Sequence, residues 1–482
     1  MKKVLIIGGG IAGLATAYYL QERGRGLVEC ALAEGSRQVG GKIRSSIENG
    51  FIVEGGPDSF STQNRAALRL CHALGLESDL IPLNREKHNL FAWSHGHLCQ
   101  MPEGLMLMLP TRWLPFLRSH LISWPGKLRM ALEPLIPPRT SDDDESLSQF
   151  VRRRLGGEAL EKIAAPLMAG IHVADPDALS LKSTFPRFSA MEQQYGSLLR
   201  GMAAQKRAAA KKKTDIPAPA ALITLRYGLQ QFVEAIAARL EDTELLLGRS
   251  AVAATPVRDG YAVKLSDGSQ FIADELVFAT PTHVTADILE GVDPVTAHAL
   301  RQIRYVSSAT VSLGFPRAEV EHALDGFGFV VPRTEKRKII ACTWSSTKFP
   351  NRAPAGSVLL RAFLAGTAAE QDEGTLKETV RDELRAMMGI TADPTLAMVY
   401  RWRKANPQYE VGHQARVAEI ERRIGSQPGL HLTGSAYHGA GIPDCIEGGA
   451  RVASEIIAAA QTECARAREL EETVFSLIGG RA

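Results

Sequence analysis

Three glycines at the spacing Gly8-x-Gly10-x-x-Gly13 stand between an apolar run, Val4 to Ile7, and a helix-forming stretch, Gly13 to Gln21. If a nucleotide pyrophosphate binds there, each glycine has its own reason. Gly8 permits the tight turn, Gly10 lets backbone approach the anion, and Gly13 lets helix and strand pack closely. The helix N-terminus adds N–H groups that have no partner inside the helix. Glu34 ends the next strand-like run, about 20 residues on, where a carboxylate takes ribose hydroxyls. A Gly-rich turn without a ligand is the alternative. Strand, helix and acid in register favour a dinucleotide.

Two further segments favour FAD over NAD. Gly40-Gly41-Lys42-Ile43-Arg44 follows the acidic strand and suits a loop over pyrophosphate and flavin. Glu54-Gly55-Gly56-Pro57-Asp58-Ser59-Phe60 places small or rigid residues where backbone can lie against a flat ring. Either segment alone reads equally as a surface turn.

The elements that must position these residues follow from pattern. Val4 to Ile7 is a short apolar run suited to a central parallel strand, and Val28 to Glu34 is the second strand of a βαβ unit. Asp267-Gly268 between alternating runs predicts a hairpin. Leu276 to Ala279 and Leu430 to Leu432 read as buried strands, and residues 375–388 and 446–460 as helices. Residues 105–138 alternate Met, Leu, Trp, Pro and Arg, which predicts short amphipathic helices broken by prolines. Ala203 to Ala220 is Ala/Lys-rich and is expected to be a mobile insertion. The domains expected are an FAD-binding domain (1–75, 221–290, 415–482), a substrate domain (76–100, 291–414), a helical insertion (101–200) and a linker (201–220).

The chain has 482 residues, net charge +3 and an apolar fraction of 45%. That is ordinary for a globular protein and gives no reason to expect nucleic acid. Six cysteines form no C-x-x-C pair, so neither a metal nor a dithiol site is expected. The chain opens directly on a strand and carries no uncharged run of about 18 residues. A cytoplasmic protein is expected, with peripheral contact on the inner membrane face through the 113–138 helices as a further expectation.

Glu54 to Phe60, Gly441-Ile442-Pro443-Asp444-Cys445-Ile446, Leu181 to Pro186 and Ala341-Cys342-Thr343-Trp344 resemble segments of the porphyrinogen oxidases. These are flavoenzymes that aromatise the macrocycle in haem biosynthesis. The resemblance runs from residue 3 to about 456 and is strongest to the bacterial coproporphyrinogen III oxidase branch. It implies an α/β fold: a GR2-type Rossmann-like FAD-binding domain, a mixed-sheet substrate domain and an α-helical insertion. It implies that Gly8, Gly10, Gly13, Glu34, Gly41 and Lys42 hold the adenosine and pyrophosphate of non-covalent FAD. Gly55, Gly56, Pro57 and Asp58 would border the isoalloxazine, Val252 would meet adenine through backbone, and Gly434, Ser435, Gly441, Ile442, Pro443 and Ile446 would complete the flavin pocket. Leu167, Gly170, Phe327, Gly328, Val330 and Phe363 would line the substrate. Arg65 is the basic residue left near the Asp58-Ser59-Phe60 segment to read a propionate, since Leu90 stands where some members carry a base.

The activity implied is O2- and FAD-dependent six-electron oxidation of coproporphyrinogen III to coproporphyrin III, with protoporphyrinogen IX as the alternative. No side-chain nucleophile is needed; the Gly170 carbonyl or water would assist proton loss. A ferrochelatase is a candidate contact. A flavin amine oxidase would show paired aromatics facing the ring, where this chain has Gly441-Ile442-Pro443. A carotenoid desaturase and a non-catalytic flavoprotein are remoter alternatives. Several residues read more simply as structure: His172 as a core histidine, Arg152-Arg153-Arg154 as a solvated helix face, and Lys211-Lys212-Lys213 as a solvated loop. Tyr437-His438 reads as packing or as part of the flavin face, and Cys445 as a free thiol.

Overall fold

The computed structural model describes residues 1–106, 108–110, 112–211 and 222–479; the side chains of 106, 171, 172, 209–211 and 471–479 are not among those described. The βαβ pattern forms as its residues dictate. Strand Lys2–Ile7 leads into helix Ile11–Arg23 and returns as strand Val28–Glu34. Lys2–Ile7 is the centre of a five-stranded parallel sheet, flanked by Val28–Glu34 and Thr243–Leu247 on one side and by Glu275–Phe278 and Leu430–Leu432 on the other. Ile7 pairs with both Ala33 and Phe278, so three widely separated parts of the chain end at one edge. Parallel strands buried on both faces need continuous apolar runs, and Val4, Leu5, Ile6, Leu276, Val277 and Phe278 have no exposed surface.

The C-terminal helix begins at Ile442, four residues earlier than expected, and runs to Gly479. It packs on helix Ile11–Arg23 at Gly449, where a Cβ would stand 2.7 Å from the Ala12 carbonyl oxygen. A second, seven-stranded sheet is mixed. Its order is Leu396–Pro407, Tyr305–Pro316, Ser357–Ala365, Ala341–Trp344, Gly326–Val330, Asn89–Ser94 and His97–Gln100, with Gly326–Val330 parallel to Asn89–Ser94.

Residues 113–211 form a helical unit around Phe116, Phe150, Ile163 and Phe188. Leu105–Met106 and Leu109–Pro110 form a two-stranded ribbon rather than helix, since the prolines that break helices sit well at strand edges. Residues 201–211, expected in a linker, continue helix Leu198–Lys211. Alanine and lysine propagate a helix well. The rest of that expected linker, with Lys212 and Lys213, lies outside the described residues.

The triple arginine is not a solvated face. Arg152 is exposed, but Arg153 pairs with Glu145 and Glu192, and Arg154 is fully buried on an equally buried Glu133. Burying the pair is tolerable because every Glu133 lone pair is met: Ser197 Oγ and the Leu198 and Leu199 N–H groups donate to it as well. Removing one member of such a pair leaves an uncompensated buried charge. Arg154→Met is therefore expected to destabilise the protein by about 3–5 kcal/mol, read as a lowered urea midpoint. Arg152→Met, on the exposed neighbour, should leave that midpoint unmoved.

Candidate flavin site

Loops from three parts of the chain meet at the carboxyl edge of the parallel sheet. Gly8 takes φ +110°, and its N–H donates to the Ala33 carbonyl (2.8 Å). A Cβ on Gly13 would lie 1.9 Å from the Gly8 carbonyl oxygen, so no other residue lets the helix start so near the strand. A Cβ on Gly10 would meet nothing within 4 Å. That open space lies directly at the N-terminus of helix Ile11–Arg23, whose Gly10 cap has no side chain to occupy the first N–H groups. The Glu34 carboxylate bridges the loop, accepting from Gly9 N–H (2.7 Å) and Ser36 N–H (2.8 Å).

The diglycine loop closes over this space. Gly40 N–H donates to the Gly9 carbonyl (2.7 Å), and Gly41, at φ +57°, brings its backbone against the Gly10 Cα. Lys42 reaches across to the Ala405 carbonyl (2.7 Å). Arg44 Nη1 is buried with no partner. The donor set suits a flavin dinucleotide: an open backbone cradle, a helix N-terminus, a spare guanidinium donor and a carboxylate 25 positions past Gly9.

Gly55 and Gly56 continue the floor. A Cβ on Gly56 would lie 1.8 Å from the Lys42 carbonyl oxygen, and one on Gly55 would enter the Tyr400 ring at 2.5 Å. The Gly55 carbonyl accepts from Trp402 Nε1 (2.8 Å), Arg361 (3.0 Å) and Thr310 Oγ1 (3.2 Å). Asp58 binds Lys348 Nζ through both oxygens (2.9 and 2.7 Å). Burial alone would raise its pKa, but Lys348 and Arg361 outweigh burial and hold it at about 2.

The C-terminal loop completes the edge. Gly434 has φ +121°. The Tyr409 hydroxyl donates to the Ser435 carbonyl (2.7 Å) and accepts from Gly439 N–H (3.1 Å), tying both ends of the loop. Gly441, Ile442 and Pro443 then open the long helix, and Ile446 in its second turn is fully buried. Cys445 is buried, which pushes its thiol up to about 12. Tyr437 is buried with its hydroxyl unpartnered, whereas His438 faces outward onto Glu421 (2.5 Å).

The expected substrate residues do not all meet. Leu167 and Gly170 share helix Ala165–His172, which follows a π-helical turn at Leu160–Ala164. A Cβ on Gly170 would rest 3.6 Å from both Val330 and Ala341, so this helix lies directly on the mixed sheet. Val330 belongs to the apolar cluster around Leu167, and Leu90 and Phe363 pack against it. Gly328 takes φ +134° at a bulge that leaves Phe327 half-buried. Arg65 is exposed at the start of helix Ala66–Ala73, on another element from that wall. Val252 is 50% exposed at a bulge between Ala251 and Ala253. The side chain of His172 lies outside the described residues.

Sequence reasoning missed Arg361, Lys348, Tyr400, Trp402 and Tyr409. Three carried a readable signal. Arg361 interrupts an otherwise apolar strand, and Tyr400-x-Trp402 puts two aromatics on one strand face, where the rings stack at 6.3 Å and 9°.

His413 stacks on Tyr409 (4.2 Å, 12°) and is buried at 1% exposure. Burial, then Arg416, pulls its pKa from 6.5 to about 4. Between those values the unfolded chain binds a proton that the folded chain does not, so stability falls as pH drops through that window. His413→Phe keeps the stack and removes the proton. The variant should lose stability less steeply between pH 6.5 and 4, by up to about 1.4 kcal/mol per pH unit, in urea titrations run beside the wild type. Parallel curves would contradict a buried neutral imidazole.

The chain matches the family described as flavin containing amine oxidoreductase over residues 11–457. It is 36% identical to the coproporphyrinogen III oxidase of Bacillus subtilis (strain 168), over 95% of this chain and 98% of that protein. It is 31% identical to protoporphyrinogen oxidase 1, chloroplastic, of Arabidopsis thaliana, over 94% of this chain and 87% of that one. A crystal structure from Exiguobacterium sp. 255-15, assigned as a protoporphyrinogen oxidase, superposes with a TM-score of 0.84 at 29% identity, covering 95% of this chain and 99% of that one. With the glycine cradle, the parallel sheet and these likenesses in agreement over nearly its whole length, the chain belongs to the flavin containing amine oxidoreductase family.

Proposed function

We propose that the protein oxidises coproporphyrinogen III to coproporphyrin III, using non-covalent FAD and O2. The observation that carries this reading is the 36% identity to a bacterial coproporphyrinogen III oxidase along 98% of its length. The site supports it chemically. The wall formed by Leu167, Gly170, Val330 and Phe363 is apolar and suits a large flat macrocycle. The adjacent sheet edge supplies a backbone cradle for the cofactor.

Bound FAD would supply two-electron redox chemistry with O2 as the acceptor. The chain's residues position and shield. Gly8, Gly10, Gly13, Gly41 and Lys42 hold the pyrophosphate end, and Glu34 keeps their loop closed through the Gly9 N–H. Gly55, Gly56, Pro57 and Asp58 form a floor pinned by Trp402 and Arg361. The N-terminus of the Ile442 helix, with Pro443 in the first turn, would stabilise negative charge on the bound flavin. Leu167 and Phe363 keep water off the reacting carbon. The Gly170 carbonyl, late in a short helix, would receive a pyrrole N–H. Cys445 stays a free thiol, because burial keeps it protonated.

The purified chain with FAD is expected to oxidise coproporphyrinogen III faster than protoporphyrinogen IX, both followed by porphyrin fluorescence. The reverse preference would move it to the protoporphyrin route. No gain over air oxidation with either would leave only a flavoprotein.

A peripheral membrane contact is part of the same proposal. Among the described residues no helix is long and apolar enough to cross a membrane. Yet Trp113, Leu114, Leu117, Trp124, Leu128, Leu132 and Leu135 are exposed on consecutive short helices, Trp124 at 68% and Leu135 at 74%. An apolar face on short helices suits the headgroup boundary of a lipid surface. Burying one Leu or Trp contributes roughly 1.5–3 kcal/mol, so the double variant Trp124→Ser/Leu128→Ser should bind phosphatidylglycerol-containing vesicles at least about tenfold more weakly in co-sedimentation. Equal binding would remove the lipid contact and leave the oxidase reading intact.

A further inference from the structure

The charges packed around Gly55 to Asp58 do not cancel. Arg361 stands at 3% exposure in strand Ser357–Ala365, between Leu360 and Ala362. Its guanidinium donates to the Gly55 and Gly56 carbonyls and lies 4.8 Å from the Phe363 ring centroid, and its Nε is buried with no partner. Lys348 holds Asp58 from the other side. Arg352, 1% exposed, donates to Thr224 Oγ1 and to the Leu225 and Arg226 carbonyls, and stands 3.7 Å from Glu54. Three buried or half-buried cations thus face two carboxylates, Asp58 and Glu54.

The Glu54 carboxylate is the weaker of the two anions. It accepts from Ser45 Oγ (2.6 Å) and Leu229 N–H (3.0 Å), but burial pushes it toward its neutral form. The nearby Tyr400 hydroxyl is engaged with Ser46 Oγ. The segment therefore carries at least one uncompensated positive charge, and Arg361 is the member in direct contact with the two glycines. A fixed charge in a dry site acts over several ångströms with little screening.

We propose that this cation tunes the flavin, with Arg361 raising its reduction potential by stabilising the negative charge that the ring gains on taking up two electrons and one proton as hydride. The inference rests on the placement of the ring against Gly55 to Asp58. A residue that only pinned two carbonyls would behave differently from a charge. The two readings differ in sign structure. A pinning role makes any disturbance weaken FAD retention. A charge role makes the potential follow the charge removed, whichever residue carries it.

The test uses the holoenzyme and four variants: Arg361→Lys, Arg361→Met, Lys348→Met and Asp58→Asn. Midpoint potentials are measured by dithionite titration against a reference dye, with FAD content measured separately by release on denaturation. Arg361→Met and Lys348→Met are expected to lower the midpoint, changing the oxidised-to-reduced ratio at a fixed potential at least tenfold, about 30 mV for a two-electron couple. Asp58→Asn should raise it, and Arg361→Lys should stay near the wild type. If Arg361→Met loses its FAD, the opposite signs expected of Lys348→Met and Asp58→Asn still decide. Oxidised-to-reduced ratios at that fixed potential all within threefold of wild type, or Lys348→Met and Asp58→Asn moving the midpoint the same way, would overturn the tuning role. A wild-type chain that binds no FAD would instead overturn the placement on which it rests.

Discussion

The site depends on backbone approaching backbone where no Cβ can stand. The Gly8 carbonyl would be 1.9 Å from a Cβ on Gly13, and the Lys42 carbonyl 1.8 Å from one on Gly56. The first contact sets how close helix Ile11–Arg23 starts to the central strand, and so where its N–H groups converge. The second sets how the Gly55 floor lies under the diglycine loop. A third contact, Gly449 against the Ala12 carbonyl, fixes the C-terminal helix on the same framework. Three distant parts of the chain are thereby held in one register by the absence of side chains. A cradle held by such contacts spends little ordering entropy when a ligand enters it.

That framework explains the distribution of buried charge. Burying ions costs several kcal/mol each unless they are paired and hydrogen-bonded. The chain does this in two places with different outcomes. In the helical insertion, Arg154 and Glu133 sit at full burial with the carboxylate saturated by donors. That cluster is close to neutral and joins the segment bearing the exposed tryptophans to the rest of the insertion. Around Gly55 the cations exceed the anions, and Arg361 spends its donors on carbonyls rather than on a carboxylate. A structural cluster would be expected to reach balance. An excess of buried charge beside backbone glycines is more often found at functional sites than in structural clusters.

Local pattern carried much of this into the sequence. The glycine spacing, the apolar runs and the acid at Glu34 are all nearest-neighbour features, and the parallel sheet followed from them. What stayed illegible depended on contacts between distant residues. Arg152-Arg153-Arg154 looks like a polar face because the sequence near it contains no hint of Glu133 and Glu192 folding over it. The start of the last helix at Ile442 depends on Pro443 being welcome in a first turn, which reads equally well as a break. The Ala/Lys-rich stretch continues as helix to Lys211 because propensity won where no burial was needed. Arg65 stands where the resemblance puts basic charge, just after Asp58-Ser59-Phe60, and it caps helix Ala66–Ala73 rather than lying on the strands of the apolar wall.

The coupling between the two halves of the site passes through Tyr409. Its ring belongs to the core of the helical insertion, the cluster that also holds Leu167 and Val330. Its hydroxyl fastens Ser435 and Gly439 in the loop that leads to Ile442. Its carbonyl takes the Ser180 N–H (2.7 Å), and its neighbour Glu410 bridges to Leu179. One residue thus touches the apolar wall through packing and the cofactor loop through hydrogen bonds. Displacing that wall by even a fraction of an ångström moves the ring, because close-packed interiors transmit strain rather than absorb it. The Ser435 and Gly439 contacts would have to follow or break. The wall and the loop therefore cannot be placed independently, which is the arrangement needed if the bridge carbon of a large ring is to be presented to a flavin at one fixed height.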